Sequence, residues 1–169
     1  MPQPLESFAM SFSGRLLARG FWLYVWDVRT PKARCLYVGR TGDSASPFAS
    51  SPFRRIGQHL EMKPNAKGNA LARQPKAAGF DCSECTFEMI AIGPLFPEQK
   101  TWKDHLPIRD HVAALERSVA DDLRLRGYWV VGTHPPKKAP DEALMSEIRA
   151  ILFQRFPVTQ NERLCSHDR

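Results

Sequence analysis

Trp22-Leu23-Tyr24-Val25-Trp26, then Cys35-Leu36-Tyr37-Val38-Gly39-Arg40-Thr41-Gly42, then Ser51-Pro52-Phe53-Arg54-Arg55-Ile56-Gly57-Gln58-His59: these three stretches decide how the chain is read. The run Phe21 to Val28 is almost wholly apolar and rich in aromatic and β-branched residues, the composition of a strand buried on both faces. Thr30-Pro31-Lys32-Ala33 carries turn chemistry, and Arg34 to Gly39 is the return strand. An antiparallel pair closing on Thr30-Pro31 sets Tyr24 directly opposite Tyr37, with both phenols on one side of the sheet. A register shifted by one residue would send them to opposite faces. Beyond a serine-rich loop, Ser51 is placed to cap a helix whose first residue is Pro52. Arg55 and His59 stand i, i+4 on that helix, beside an apolar face of Phe53, Ile56 and Leu60. Gly57 costs such a helix about 1 kcal/mol against alanine, so close packing is the expected reason for it.

Working outward, a second helix begins at Asn69, carries Leu71, Arg73 and Lys76, and ends at Gly79. Thr86 to Ile92 reads as a third strand, stopped by Gly93-Pro94. A helix over Ile108 to Arg126 turns Val112, Leu115, Val119 and Leu123 inward, and Tyr128 to Val131 is extended. Upstream of Phe21, a short helix is expected near Gly14 to Arg19. A last amphipathic helix spans about Asp141 to Phe156; it either caps the domain's own sheet or docks on a second copy as a homodimer contact. The expected fold class is α/β, a small, mainly antiparallel three-stranded sheet flanked by helices, with a C-terminal helical extension. Its parts are a lead-in at residues 1–19, the main domain at 20–132, and a linker and helix at 133–169.

With 169 residues the chain can bury a genuine core, and 43% apolar and 25% charged residues exclude a disordered class. A net charge of +6 points to an anionic partner, nucleic acid being the commonest. No stretch has the length of a membrane span, and Met1 to Glu6 lacks the features of a signal peptide, so an intracellular (cytoplasmic), soluble protein with no membrane partner is expected. Of the four cysteines, Cys82 and Cys85 have the spacing of half a zinc site, but no second pair follows, and free thiols are the expectation for these and for Cys35 and Cys165. His105, His111 and His134 are expected at the surface or in loops.

Phenols, a guanidinium and an imidazole around one hairpin suit phosphodiester cleavage. That chemistry needs an activated water, charge neutralisation at the phosphoryl oxygens, and help for the leaving alkoxide. The same residues resemble the GIY-YIG nuclease superfamily over roughly residues 20–131. Tyr24 stands where the first motif has its tyrosine, Tyr37-Val38-Gly39 resembles Tyr-Ile-Gly, and Arg55 with His59 resembles the helix-borne pair. Ala114-Leu115-Glu116-Arg117-Ser118-Val119 is similar to the later helix whose lone glutamate binds the metal. The chain departs from the pattern in having Trp22-Leu23 for Gly-Ile, a longer connection from Gly39 to Arg55, and no asparagine in Tyr128 to Gly132.

The resemblance implies catalytic roles for Tyr24, Tyr37, Arg55, His59 and Glu116, with Glu116 holding a divalent ion, Mg2+ or Mn2+. Gly39 would serve the site by allowing close backbone approach. Arg40, Arg54, Lys63, Lys67, Arg73 and Lys76 flank these positions and are the candidates for contact with nucleic-acid phosphates. The implied activity is a metal-dependent endonuclease acting on DNA, with restriction-type, repair and structure-specific forms all open. A non-catalytic nucleic-acid-binding module of the same fold is the alternative.

Overall fold

The computed structural model describes residues 5–30, 32–43, 48–63, 65–66, 68–77, 79–135 and 138–159. Lys67, Cys165 and Pro31 therefore lie outside the described residues. The class is α/β. Strand β1 (Phe21–Arg29) is paired on one side with β2 (Arg34–Arg40) and on the other with β3 (Thr86–Phe96), both antiparallel. A two-residue strand β4 (Val130–Val131) adds to β2 in parallel, giving the order β3-β1-β2-β4. The sheet is thus four-stranded and mixed rather than three-stranded, because the extended segment after the long helix reaches the free edge of β2.

As its composition demands, β1 is buried along its length up to Val28. Its even-numbered residues Tyr24, Trp26 and Val28 pack with Cys35, Leu71 and Phe80 on one face, where Tyr37, Ile56 and Leu60 also lie. The odd-numbered Leu23 and Val25 face the opposite layer with Leu36 and Val38. That layer is built by α3 (Trp102–Leu125) through Leu115, Val119 and Leu123, and by α4 (Glu142–Arg155) through Met145, Ile148 and Leu152. The apolar stripe of α4 is therefore used inside its own domain. On the same face, buried Asp27 accepts from both Arg29 and Arg34; burial works against its charge, but those bonds hold its pKa below the usual carboxylate range.

Four boundaries depart from expectation. The hairpin register is Tyr24 opposite Gly39 and Trp26 opposite Tyr37, two residues from the expected pairing. The turn closes one residue later, with the Thr30 N–H donating to the Ala33 carbonyl. A shift of two keeps parity, so both phenols still share a face. Strand β3 runs on through Gly93-Pro94 to Phe96, pairing with Phe21 across an irregularity in the ladder. Helix α3 begins at Trp102, six residues early, because Thr101 caps it by accepting from the Asp104 N–H and Pro107 is accommodated near its start.

Helix α1 (Pro52–His59) follows expectation, Ser51 accepting from the Arg54 N–H. Helix α2 (Ala70–Ala77) does too. The short N-terminal helix is a single 3-10 turn at Gly14–Leu17. Close packing does not explain Gly57: a Cβ built there meets nothing within 4 Å. Gly57→Ala should therefore stabilise the protein by about 1 kcal/mol in urea denaturation; an unchanged or lower midpoint would contradict this placement.

No helix among the described residues is long and apolar enough to cross a membrane.

Candidate functional site

Where β4 stops, β2 continues to Arg40 paired only with β1, and at its bare outer edge the two layers of the fold come within reach of each other. Successive β2 residues face opposite ways. Tyr37 therefore turns to the α1 side, while Arg40, opposite Leu23, turns to the α3 side. The site assembles around that edge.

Its innermost part is Tyr24. The side chain is fully buried, and its hydroxyl lies 2.6 Å from His59 Nε2 and 3.2 Å from the Arg40 carbonyl. One phenolic proton satisfies both contacts if Tyr24 donates to the carbonyl and His59 donates from Nε2, which leaves Nδ1 as a lone pair. His59 Nδ1 is indeed buried without a partner among the described residues. The ring of Tyr24 lies across Gly39, where an added Cβ would sit 2.5 Å from Cε2 and 2.8 Å from the hydroxyl. Gly39 is thus required by its cross-strand neighbour, the close approach that the Tyr-Val-Gly pattern suggested.

Tyr37 is half-buried, its ring edge-on to His59 at 5.5 Å between centroids and backed by Gly132. Among the described residues its hydroxyl has no hydrogen-bond partner, and it is not among the buried orphan atoms, so it faces the mouth of the site. Burial pushes this phenol up to about 12 and drives Tyr24 higher still. Both keep their protons at neutral pH.

Helix α1 brings Arg55 to the same place. Its Nη2 donates to Asp43 Oδ2 (2.7 Å), its Nη1 to Gln58 Oε1 (3.2 Å), and its Nε is buried with no partner among the described residues. Burial works against the guanidinium charge, but Tyr24 and Asp43 beside it hold its pKa above the ordinary value. From α3, Glu116 accepts from Arg40 Nε at 2.9 Å, the two side chains being 19% and 13% exposed. Arg40 Nη1 is a second buried donor without a partner among the described residues. Burial raises the Glu116 pKa, with Arg40 opposing it.

The expected residues Tyr24, Tyr37, Arg55, His59, Glu116 and Gly39 therefore converge. Arg40, expected as a phosphate contact beside the site, sits inside it as the partner of Glu116, because its place in the strand turns it onto the α3 face. Arg54, Lys63, Arg73 and Lys76 are exposed, on and around α1 and α2. Asp43 was not foreseen; it is the sole acidic residue between β2 and α1, immediately after a Thr-Gly turn, and that isolation was the available signal.

His105 and His134 are not surface residues. His105 is fully buried with Nε2 at 3.0 Å from the Gly42 carbonyl, between Trp102 and Phe21. His134 Nε2 donates to the Val38 carbonyl at 3.1 Å, satisfying the bare edge of β2 just past β4. Cys35 is buried and Cys82 and Cys85 are half-buried, all three free thiols.

Could these residues hold a divalent ion? Among the described residues no group of three or more His, Cys, Asp or Glu side chains is arranged for one. Glu116 nevertheless gives only one oxygen to Arg40. A lone carboxylate with a free oxygen fits the way magnesium is held when waters and a substrate phosphate fill its other positions.

Burial, followed by the Arg55 charge, depresses the pKa of His59 to about 4. An unfolded histidine protonates near 6.5, so the stability due to a neutral His59 is complete above that pH and is lost as pH falls toward about 4. Between pH 7.5 and 5, the unfolding free energy should fall by about 2 kcal/mol more in the native protein than in His59→Gln. Urea titrations at the two pH values measure this directly, and parallel losses in both proteins would mean that the ring titrates normally.

Comparison with protein-family models, curated proteins and solved structures returns no match to this chain.

Proposed function

We propose that the chain is a divalent-metal-dependent nuclease of GIY-YIG type that hydrolyses phosphodiester bonds in DNA. The observation that carries this reading is the pair of unmatched guanidinium donors, Arg40 Nη1 and Arg55 Nε, buried beside an open phenol and a half-used carboxylate. Buried donors without acceptors are costly, and an oxyanion arriving at this edge would satisfy them. Phosphate is the oxyanion that also suits the net charge of +6 and the exposed Arg54, Lys63, Arg73 and Lys76.

In this reading Arg55 binds the non-bridging oxygens of the scissile phosphate and stabilises their growing charge. Tyr37 orients the attacking water from the mouth of the site. The water's proton passes to the coupled set of Tyr24, Tyr37 and His59, of which His59, its pKa held near 4, is the neutral imidazole at pH 7. Tyr24 and His59 are both sealed from solvent, so Tyr37, whose hydroxyl faces the mouth, is the member of the set that meets the water, and Tyr24 holds His59 behind it. The P–O bond to the leaving oxygen breaks as the water oxygen bonds to phosphorus. Magnesium or manganese bound at Glu116 would supply Lewis-acid stabilisation of the leaving oxygen.

A non-catalytic nucleic-acid-binding module is the second reading, favoured by one observation: Glu116 is already neutralised by Arg40. The two readings separate on a panel of duplex, single-stranded and branched DNA and RNA, incubated with magnesium or manganese. The nuclease reading expects metal-dependent cleavage of DNA, discrete fragments marking sequence specificity and cuts confined to junctions marking a structure-specific enzyme. Binding without cleavage under both metals would transfer the conclusion to the module.

A further inference from the structure

We infer that Asp43 is a positioning residue that holds Arg55 Nη2, next to the free Nε offered to the phosphate, and yields the guanidinium to the incoming substrate. This rests on the reading of Arg55 as a phosphate ligand and adds to it how the empty site is kept.

The placement of Asp43 is built rather than incidental. Just before it, the Thr41 hydroxyl donates to the Gly20 carbonyl (2.5 Å) and accepts from the Trp22 N–H (2.8 Å). The Gly42 carbonyl is held by His105 at 3.0 Å. Gly42 adopts φ +77°, and a Cβ there would run into the Phe21 ring. The turn is thus anchored to β1 and α3 up to the residue that meets Arg55.

Asp43 is also the more exposed partner, its side chain 36% accessible against 15% for Arg55. When a second anion arrives, the carboxylate can turn out toward water while the guanidinium stays. A carboxylate on Nη2 and a phosphate on Nε of one guanidinium repel each other, at such distances strongly even in a polar site. Asp43 therefore keeps Arg55 oriented and neutralised in the free protein, and selects for ligands anionic enough to displace it.

Inorganic phosphate is the probe, read by the rise in thermal midpoint with concentration. Asp43→Asn keeps an acceptor for Arg55 but removes the charge, and it should lower the half-saturating phosphate concentration about tenfold. In an Arg55→Ala background the same change should give no gain. With a DNA substrate, KM should fall in Asp43→Asn while kcat does not rise. An unchanged phosphate response in Asp43→Asn, a gain that persists without Arg55, or no phosphate response in any variant would each overturn the inference. A phosphate gain dependent on Arg55, without DNA cleavage by any variant, would keep this inference and remove the nuclease reading.

Discussion

Glu116→Gln should cleave DNA at least about 10^3-fold more slowly than the native protein while binding the same duplex as tightly or tighter. The amide keeps an acceptor for Arg40 Nε but loses the charge that would hold a divalent ion. Glu116→Ala should show the same loss of turnover together with a loss of stability of about 3 kcal/mol, since it strands the Arg40 guanidinium in a site where it is only 13% exposed. The contrast separates chemistry from folding. Single-turnover cleavage, duplex anisotropy in chelator and urea denaturation provide the three readouts. Full activity in Glu116→Gln would remove Glu116 from the reaction.

Gly39→Ala should cost about 1–3 kcal/mol of stability and most of the activity. The new methyl group would need the space of the Tyr24 ring, its nearest approach being 2.5 Å to Cε2. Tyr24 is fully buried and cannot retreat without breaking its 2.6 Å contact with His59. Tyr24→Phe combined with Gly39→Ala should lose less than the sum of the two separate changes, because both act on the same contact. Additive losses would mean that the glycine serves another neighbour.

Much of this was legible in the sequence because it depends on local periodicity. Alternation along β1 and β2 placed both phenols on one face, and Ser51-Pro52 marked the start of α1. The stripe Val112, Leu115, Val119 and Leu123 identified the buried face of α3. Register was not legible, because a hairpin moved by two residues keeps every side chain on its face. The identity of the residue opposite Tyr24 therefore depended on where the turn closes. That it is Gly39, and not Tyr37, is what allows the phenol to lie flat across the strand and reach His59.

Contacts made around the sheet edge were hidden for a different reason. Arg40 and Glu116 are 76 residues apart, and nothing in either neighbourhood marks them as partners. The burial of His105 and His134 depends on single carbonyls, Gly42 and Val38, that only tertiary structure leaves in need of a donor. His134 does lie in a loop, but a buried one, and His105 is buried on α3. Asp43 was the costliest omission, since a lone carboxylate in a serine-rich loop has the composition of ordinary surface and becomes notable only once Arg55 lies 2.7 Å away.

The most direct test of the nuclease assignment is the conversion of supercoiled plasmid by purified native protein and by Glu116→Gln, side by side, with magnesium and then with chelator. Nicked or linear DNA from the native protein alone, and only with the metal, is the predicted result. Equal cutting by both proteins would contradict the assignment of the site, and no cutting by the native protein of plasmid, branched DNA or RNA would contradict the nuclease itself.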